Sequence, residues 1–320
     1  MPRASSRPNR QPEPESIIYL VAEVGRPPPG RRPPWNHRNP GRPNSTPIAR
    51  DPSTDAGRSK RRGRWLTTQR RSIYRALARR IAPGIRNSQY AWIDRLREET
   101  RGASVWLDVG CGRRLWPSWM ELDETDRQAA RGGARLVGID LDLPSLRDNG
   151  DHDLAIYGPI DRLPFRDGVF DLVTANMVVE HLEAPETALA EVARVLRPGG
   201  RFAFHTPNIR SPIARAASWT PEWIKEPAIR VLEGRRSEDV FPTHYRLNRE
   251  SSIRRVAEAA GLRVVRVDHV ETTPTTSRLG PLSIFELGLA RCLRSARFAA
   301  FRPDLVAVLE KPESGEAARR

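Results

Sequence analysis

Short apolar runs alternate with longer amphipathic or polar segments through the middle of the chain. The segment at 185–197 places Leu189, Val192 and Leu196 on one helical face. Apolar runs with the length and composition of buried strands lie at 104–109, 135–139, 153–157, 171–175 and 201–206. This alternation predicts an α/β fold with a parallel, doubly wound sheet.

The flanking segments complete this arrangement. A strand is predicted at 262–270, and the pattern breaks at 209–245, which we interpret as an insertion over the mouth of a site. The segment 272–301 is expected to shape the same pocket. Helices are predicted at 65–82, 88–100, 248–260 and 281–301.

Two strand ends carry the residue types that a nucleoside requires. The strand at 104–109 leads into Gly110 and Gly112, and the next strand ends in Asp140. Glycines let the backbone turn sharply and let a ligand approach the main chain. A glycine turn after one strand and an acid at the tip of the next is how open α/β sheets hold a nucleoside, with the carboxylate accepting from the ribose hydroxyls.

Four sequence blocks follow one another in a characteristic order. They are Asp-Val-Gly-Cys-Gly at 108–112, Gly-Ile-Asp at 138–140, Leu-Pro-Phe…Phe-Asp at 163–171 and Arg-Val-Leu-Arg-Pro-Gly-Gly at 194–200. Together they resemble the class I S-adenosylmethionine-dependent methyltransferases, in the branch that methylates small molecules. The resemblance covers 100–210, and 240–311 by strand pattern. It implies a Rossmann-like, mostly parallel seven-stranded sheet whose last strand, at about 304–311, is antiparallel.

The resemblance also implies a cofactor, S-adenosylmethionine, and roles for individual residues. Asp108 would orient the methionyl ammonium, Gly110 and Gly112 would pass close to the methionine portion and the sugar, and Asp140 would take the ribose hydroxyls. Asn176 would line the methionine moiety. A turn-capping role for Asp108 and a helix N-cap role for Asp140 remain open alternatives.

Two positions depart from the family pattern. The third glycine of the loop is replaced by Arg114, which must either crowd the loop or point outward. The acid that usually reaches the adenine amino group is replaced by Pro159, so we assign adenine to the Ile160 backbone amide and to Asp161. For the general base we select His181, whose pKa lies near neutrality, against the alternative that it holds a helix start.

The charge is concentrated near the N-terminus. Residues 1–82 hold 19 Lys and Arg against 5 Asp and Glu, a surplus of 14 positive charges. This surplus is nearly all of the chain's net charge of +15. The segment 1–62 is rich in proline and arginine, and we predict that it is disordered. A basic arm for nucleic acid remains an alternative for this tail, but the near-neutral body argues against nucleic acid as the substrate. The chain is expected to be cytoplasmic.

The remaining boundaries follow from these patterns. We predict N-terminal helices within 63–101, a methyltransferase domain at 102–312 and a disordered end at 313–320. Cys111 and Cys292 form neither a disulfide framework nor a metal site. The arginines of the 281–301 helix, spaced by three, indicate either contact with an anionic membrane surface or an ordinary solvated face.

Three functions compete on this evidence. The first is methyl transfer to a small-molecule acceptor, at an oxygen of a sugar, lipid precursor or secondary metabolite. The second is a degenerate methyltransferase fold that acts as a binding or scaffold module, for which Arg114 and Pro159 speak. The third is a nicotinamide oxidoreductase, against which the missing third glycine of the dinucleotide fingerprint, here Leu115, counts.

Overall fold

A single mixed sheet forms the centre of the protein. The computed structural model describes residues 20–21, 72–117, 119–120, 122–219, 242–274, 281 and 283–313. The strands are β1 (Leu20–Val21), β2 (Val105–Val109), β3 (Arg135–Asp140), β4 (Leu154–Tyr157), β5 (Phe170–Asn176), β6 (Leu196–Pro207), β7 (Arg263–Val270) and β8 (Asp304–Glu310). Their order in the sheet is β1-β4-β3-β2-β5-β6-β8-β7.

The strand directions match the predicted fold. Strands β4, β3, β2, β5 and β6 pair in parallel, and β8 pairs antiparallel with both β6 and β7. The mostly parallel, seven-stranded sheet with an antiparallel last strand is therefore confirmed. A short eighth strand, β1, pairs antiparallel with β4 at one edge.

Helices cover both faces of this sheet, as doubly winding requires. The cluster around Trp92 and Trp106 packs the helices Ser88–Glu99 and Glu124–Arg131 on one face. The cluster around Leu189 and Ile253 packs the helices Pro185–Val195 and Glu250–Ala259 on the other. The helices are α1 (72–81), α2 (Ser88–Glu99), α3 (Glu124–Arg131), α4 (Leu143–Arg147), α5 (Pro185–Val195), α6 (Pro212–Trp219), α7 (Glu250–Ala259) and α8 (Ser283–Leu293). Two 3₁₀ helices lie at Val179–His181 and Ala296–Phe301.

The continuous helix predicted at 281–301 is wrong. Helix α8 ends at Leu293, and a separate 3₁₀ helix follows at Ala296–Phe301. Two of its three arginines also hydrogen-bond to the end of α1 and the turn after it, since Arg291 donates to the Ile81 carbonyl (3.0 Å) and Arg294 to the Pro83 carbonyl (2.6 Å). Contact with a membrane surface stays a prediction, and among the described residues no helix is both long and apolar enough to cross a bilayer.

Two further boundaries differ from the sequence interpretation. Strand β6 begins at Leu196, so the Pro-Gly-Gly block lies in the irregular start of a strand and α5 ends earlier, at Val195. Helix α6 forms in the segment where no period was visible. Of the predicted tail and insertions, 1–62 apart from β1, 220–241, 275–280 and 314–320 lie outside the described residues. The disorder assigned to both ends therefore stays a prediction.

Gly138, in the middle of β3, provides a test of this packing. A Cβ built there lies 2.6 Å from Cys111 Sγ and 2.8 Å from His152 Cδ2, both in buried residues. We expect Gly138→Ala to lower the free energy of unfolding by about 1–3 kcal/mol, because the overpacked side chains must shift.

Gly288→Ala is the matched control. A Cβ at Gly288, in α8, meets nothing within 4 Å. This substitution should raise the free energy of unfolding by about 0.5–1 kcal/mol, because alanine loses less backbone entropy in a helix. Urea denaturation of both variants measures the difference, and an unchanged Gly138→Ala protein would contradict the packing described.

Candidate functional site

The loop after β2 forms the first wall of the candidate site. Gly110 and Gly112 have φ of +66° and +52°, which L side chains rarely adopt. A Cβ at Gly110 would lie 2.2 Å from Val178 Cγ2, whereas one at Gly112 would meet nothing within 4 Å. The two glycines therefore serve different needs: Gly110 allows the close approach of the loop after β5, and Gly112 presents bare backbone to open space.

Asp140, at the tip of β3, holds this loop in place. Its Oδ2 accepts a hydrogen bond from the Gly112 amide (2.7 Å), and its Oδ1 accepts one from the Asp142 amide (2.8 Å). Burial raises the pKa of Asp140, and these two amide donors oppose the rise. Each carboxylate oxygen can accept a second hydrogen bond, so the pair keeps capacity for two ribose hydroxyls.

Asp108, in β2, faces the protein interior. Its Oδ1 accepts from the Thr174 hydroxyl (2.7 Å), and its Oδ2 lies 3.1 Å from His152 Nε2. The Thr174 hydroxyl oxygen in turn accepts from Trp106 Nε1 (2.7 Å). Both carboxylate oxygens thus have protein partners beneath the glycine loop, and contact of Asp108 with a methionyl ammonium stays a prediction.

The network continues from His152 back to the loop. His152 Nδ1 lies 2.9 Å from Asn149 Oδ1, and Asn149 Nδ2 donates to the Gly112 carbonyl (2.7 Å). Gly138 makes room for this histidine. Sequence analysis missed His152 and Asn149, although a lone glycine inside an apolar strand is a signal for a close approach. The backbone N–H and the backbone C=O of Gly112 are therefore both held by side chains.

The two departures from the family pattern have different outcomes. Arg114 is exposed, while the next residue, Leu115, is buried in the core, so the arginine points outward and leaves the loop uncrowded. Ile160 and Asp161 lie just after β4, at the same edge of the sheet as Asp140, and the Asp161 side chain is exposed. Their contact with adenine stays a prediction.

Asn176 ends β5 and is held by α2. Its amide pairs with the Gln89 amide in both directions, at 2.9 and 3.2 Å, and its Oδ1 lies 2.9 Å from His205 Nδ1. Gln89 lies two residues after Asn87, whose side chain caps α2 by accepting a hydrogen bond from the backbone N–H of Gln89. The predicted site residue is therefore fixed by a helix that precedes the sheet in sequence.

His181 and Glu180 lie on the turn after β5. His181 Nδ1 lies 2.8 Å from the Pro242 carbonyl, which accepts a hydrogen bond from the protonated Nδ1, so Nε2 is the basic nitrogen of the neutral histidine. The Glu180 carboxyl is buried, and its Oε2 accepts from the Thr206 hydroxyl (3.0 Å). Burial raises the pKa of Glu180 to about 7. Sequence analysis missed this carboxyl because its burial depends on β6.

Comparisons with known proteins address the family. Residues 107–204 match the family model described as "Methyltransferase domain". The chain is 38% identical over 111 residues to a malonyl-[acyl-carrier protein] O-methyltransferase of Pseudescherichia vulneris, an alignment that covers 34% of this chain and 40% of the relative. It is 34% identical over 128 residues to a ubiquinone biosynthesis O-methyltransferase of Xanthomonas oryzae pv. oryzae, covering 38% and 49%.

The likeness to these relatives is confined to part of each protein, since the chain spans less than half the length of either. A crystal structure of an S-adenosylmethionine-dependent methyltransferase from Mesorhizobium loti is 18% identical, covers 70% of this chain and 97% of that one, and superposes with a TM-score of 0.44. The family match covers Asp108, Gly112, Asp140 and Asn176. Residues 107–204 of the chain therefore match a methyltransferase domain, the kind of domain that the four sequence blocks resemble.

Proposed function

We propose that the protein binds S-adenosylmethionine over the ends of β2, β3 and β4 and directs its methyl group to an oxygen of a small-molecule acceptor. The observation that carries the proposal is the Gly112 peptide, which is fixed by Asp140 and Asn149 and faces open space. The family match and the O-methyltransferase relatives support the same activity. We further propose a cytoplasmic location.

The residues present fit this cofactor. Asp140 has unused acceptor capacity for the ribose, Gly112 gives space for close approach, and Asn176 is held by Gln89 at the end of β5, where the resemblance puts the methionine moiety. The cofactor, when bound, supplies the activated methyl group, so the protein has only to position it, exclude water and remove a proton.

Proton removal is assigned to His181. The Pro242 carbonyl accepts a hydrogen bond from Nδ1, so the basic lone pair of the neutral imidazole lies on Nε2, which would take the acceptor's hydroxyl proton. The buried carboxyl of Glu180, whose Oε1 lies 4.0 Å from that Nε2, stabilises the imidazolium that results.

The scaffold alternative makes a different prediction for the same site. Without a working cofactor site, the fold would bind neither S-adenosylmethionine nor S-adenosylhomocysteine. The outward orientation of Arg114 removes one of the two sequence arguments for that alternative.

The first test concerns Asp140. Asp140→Asn should weaken the binding of S-adenosylhomocysteine by about 1–3 kcal/mol, because the variant loses a charged acceptor for the ribose. Asp148→Asn removes an exposed carboxylate near the same loop and should leave the affinity unchanged. Calorimetric titration measures both, and equal affinities for the two variants would place the ribose elsewhere.

The second test concerns His181. His181→Gln keeps a polar side chain but removes the base, so we expect kcat to fall by about 10²–10⁴-fold at neutral pH while cofactor affinity stays the same. The measurement requires an acceptor that the protein methylates. Screening hydroxyl compounds for release of S-adenosylhomocysteine would identify one. A variant with unchanged kcat would assign the proton transfer to another group.

The third test uses the raised pKa of Glu180. The folded-state pKa of about 7 exceeds the unfolded value of 4.5, so the native state binds more protons between these values. The contribution of the protonated Glu180 carboxyl to the free energy of unfolding is therefore fully present below pH 4.5 and is lost as the pH rises through 7. Glu180→Gln removes this titration, so the variant should gain roughly 3 kcal/mol relative to the parent between pH 5 and pH 8. Urea denaturation at both pH values measures the gain, and parallel pH profiles would contradict the burial of this carboxyl.

A further inference from the structure

A cavity lies against the first turn of α2, the helix that also holds Asn176. It has a volume of ≈390 Å³ and separates the first turns of α2 from the segment that follows β7. That volume is in the range of small-molecule sites. Two hydrogen bonds join its walls, from the Ser88 amide to the Thr272 hydroxyl (3.1 Å) and from Asn87 Nδ2 to the Thr273 hydroxyl (3.2 Å).

This cavity adjoins the methyl-transfer edge through α2. Asn87 and Tyr90 line the cavity, and Gln89 between them holds Asn176 at the end of β5. The first turn of α2 would therefore separate a molecule in the cavity from Asn176, the residue assigned to the methionine moiety. The cavity is placed to hold a part of the methyl acceptor remote from its reacting oxygen.

The lining carries more positive than negative charge. Three guanidinium groups, those of Arg86, Arg294 and Arg302, meet two carboxylates, Asp94 and Glu271. Glu271 is already used, since it accepts from Arg294 Nε (2.7 Å) and Nη2 (2.9 Å). Of the other two arginines, only Arg86 approaches Asp94, and Asp94 also pairs with Arg97 Nη1 (3.4 Å).

Arg302 keeps its charge unneutralised. Its guanidinium donates to the carbonyls of Leu293, His269 and Arg294 at 3.1 Å each, and within the described ranges no carboxylate pairs with it. Carbonyl acceptors orient the group without cancelling its charge, and two of its five N–H donors are left over. Burial, with a contribution from Arg302, lowers the pKa of His269 in the same lining.

Arg86 stands at the mouth of the cavity. It lies over the Tyr90 ring, 4.7 Å from the centroid, and approaches Asp94 only to 3.9 Å, too far for a hydrogen bond. Its side chain is 61% exposed. A planar guanidinium whose donors meet no acceptor in the described part of the chain is suited to a carboxylate or a phosphate, which it can bind in a bidentate manner.

We propose that this cavity binds an anionic group, a carboxylate or a phosphate, of the methyl acceptor, so that the protein acts on acidic small molecules. The assignment rests on the proposed methyltransferase activity. Arg302 supplies the fixed positive charge at the inner wall, and Arg86 closes on the anion from the mouth. The Tyr90 ring and Val270 pack against the apolar body that carries the anion.

The test uses small probes with the full-length protein. Benzoate and phenyl phosphate share an aromatic body and differ in the anion, and benzyl alcohol is the neutral control. We expect calorimetric titration to detect binding of at least one anion and none of benzyl alcohol at the same concentrations. The tighter of the two anions identifies the acceptor as a carboxylate or a phosphate ester.

Three substitutions locate the binding. Arg86→Gln should weaken it about tenfold, as expected for the loss of a charge-assisted hydrogen bond. Asp94→Asn removes the carboxylate that competes for Arg86 and should tighten it. Arg255→Gln deletes an equally exposed arginine on α7, which pairs with Glu186, and should change nothing. Equal affinities for the first and third variants, or binding of benzyl alcohol as tight as that of the anions, would overturn the proposal.

A parallel titration with S-adenosylhomocysteine separates this proposal from the one on which it rests. Binding of S-adenosylhomocysteine without binding of either anion would overturn the anion site and leave the cofactor site intact. Binding of an anion without S-adenosylhomocysteine would overturn the role in the acceptor. Support requires that both bind, and that Arg86→Gln affects only the anion.

Discussion

The buried carboxylate of Asp108 is the constraint on which the rest of the site depends. A carboxylate removed from water is costly unless hydrogen-bond donors surround it. Thr174 and His152 provide these contacts from β5 and from the segment before β4. Thr174 pairs with Asp108 across the sheet, so a slip of β5 by one residue would turn its hydroxyl to the opposite face. Gly138 pairs with Asp108 from the other side, so a slip of β3 would replace the glycine that makes room for His152. The need to satisfy one carboxylate therefore helps to set the register of three strands.

The same network reaches the surface through His152. Its Nδ1 faces the side-chain oxygen of Asn149, whose amide holds the Gly112 carbonyl, while Asp140 holds the Gly112 amide. The loop is thus fixed from below and from the side, so little conformational entropy is lost when a ligand approaches it. The buried network explains how a loop whose third glycine is replaced by Arg114 can keep its shape.

The sequence predicted the features that depend on local pattern. The alternation of strands and helices, the glycine turn and the positions of Asp140 and Asn176 at strand ends follow from apolar runs and the residues that terminate them. It did not predict partners brought from a distance, such as His152, which lies 44 residues from Asp108 in the chain. The sequence also predicted a helix that continues past Leu293, where the helix in fact ends. Arginines spaced by three are compatible with a helix, but they are equally compatible with side chains that donate to separate backbone carbonyls.

Helix α2 links the proposed cofactor side of the site to the proposed acceptor side. Its inner face is anchored by Trp92 and Leu96 in the core against β6 and β8, so its position relative to the sheet is set by packing. From that fixed position, its first turn holds Asn176 through Gln89 and lines the cavity with Tyr90. In-line displacement requires donor and acceptor to be aligned closely, which favours residues on rigid elements over residues on independent loops. A single packed helix that contacts both sides satisfies this requirement, because any shift that moved one partner would move the other with it.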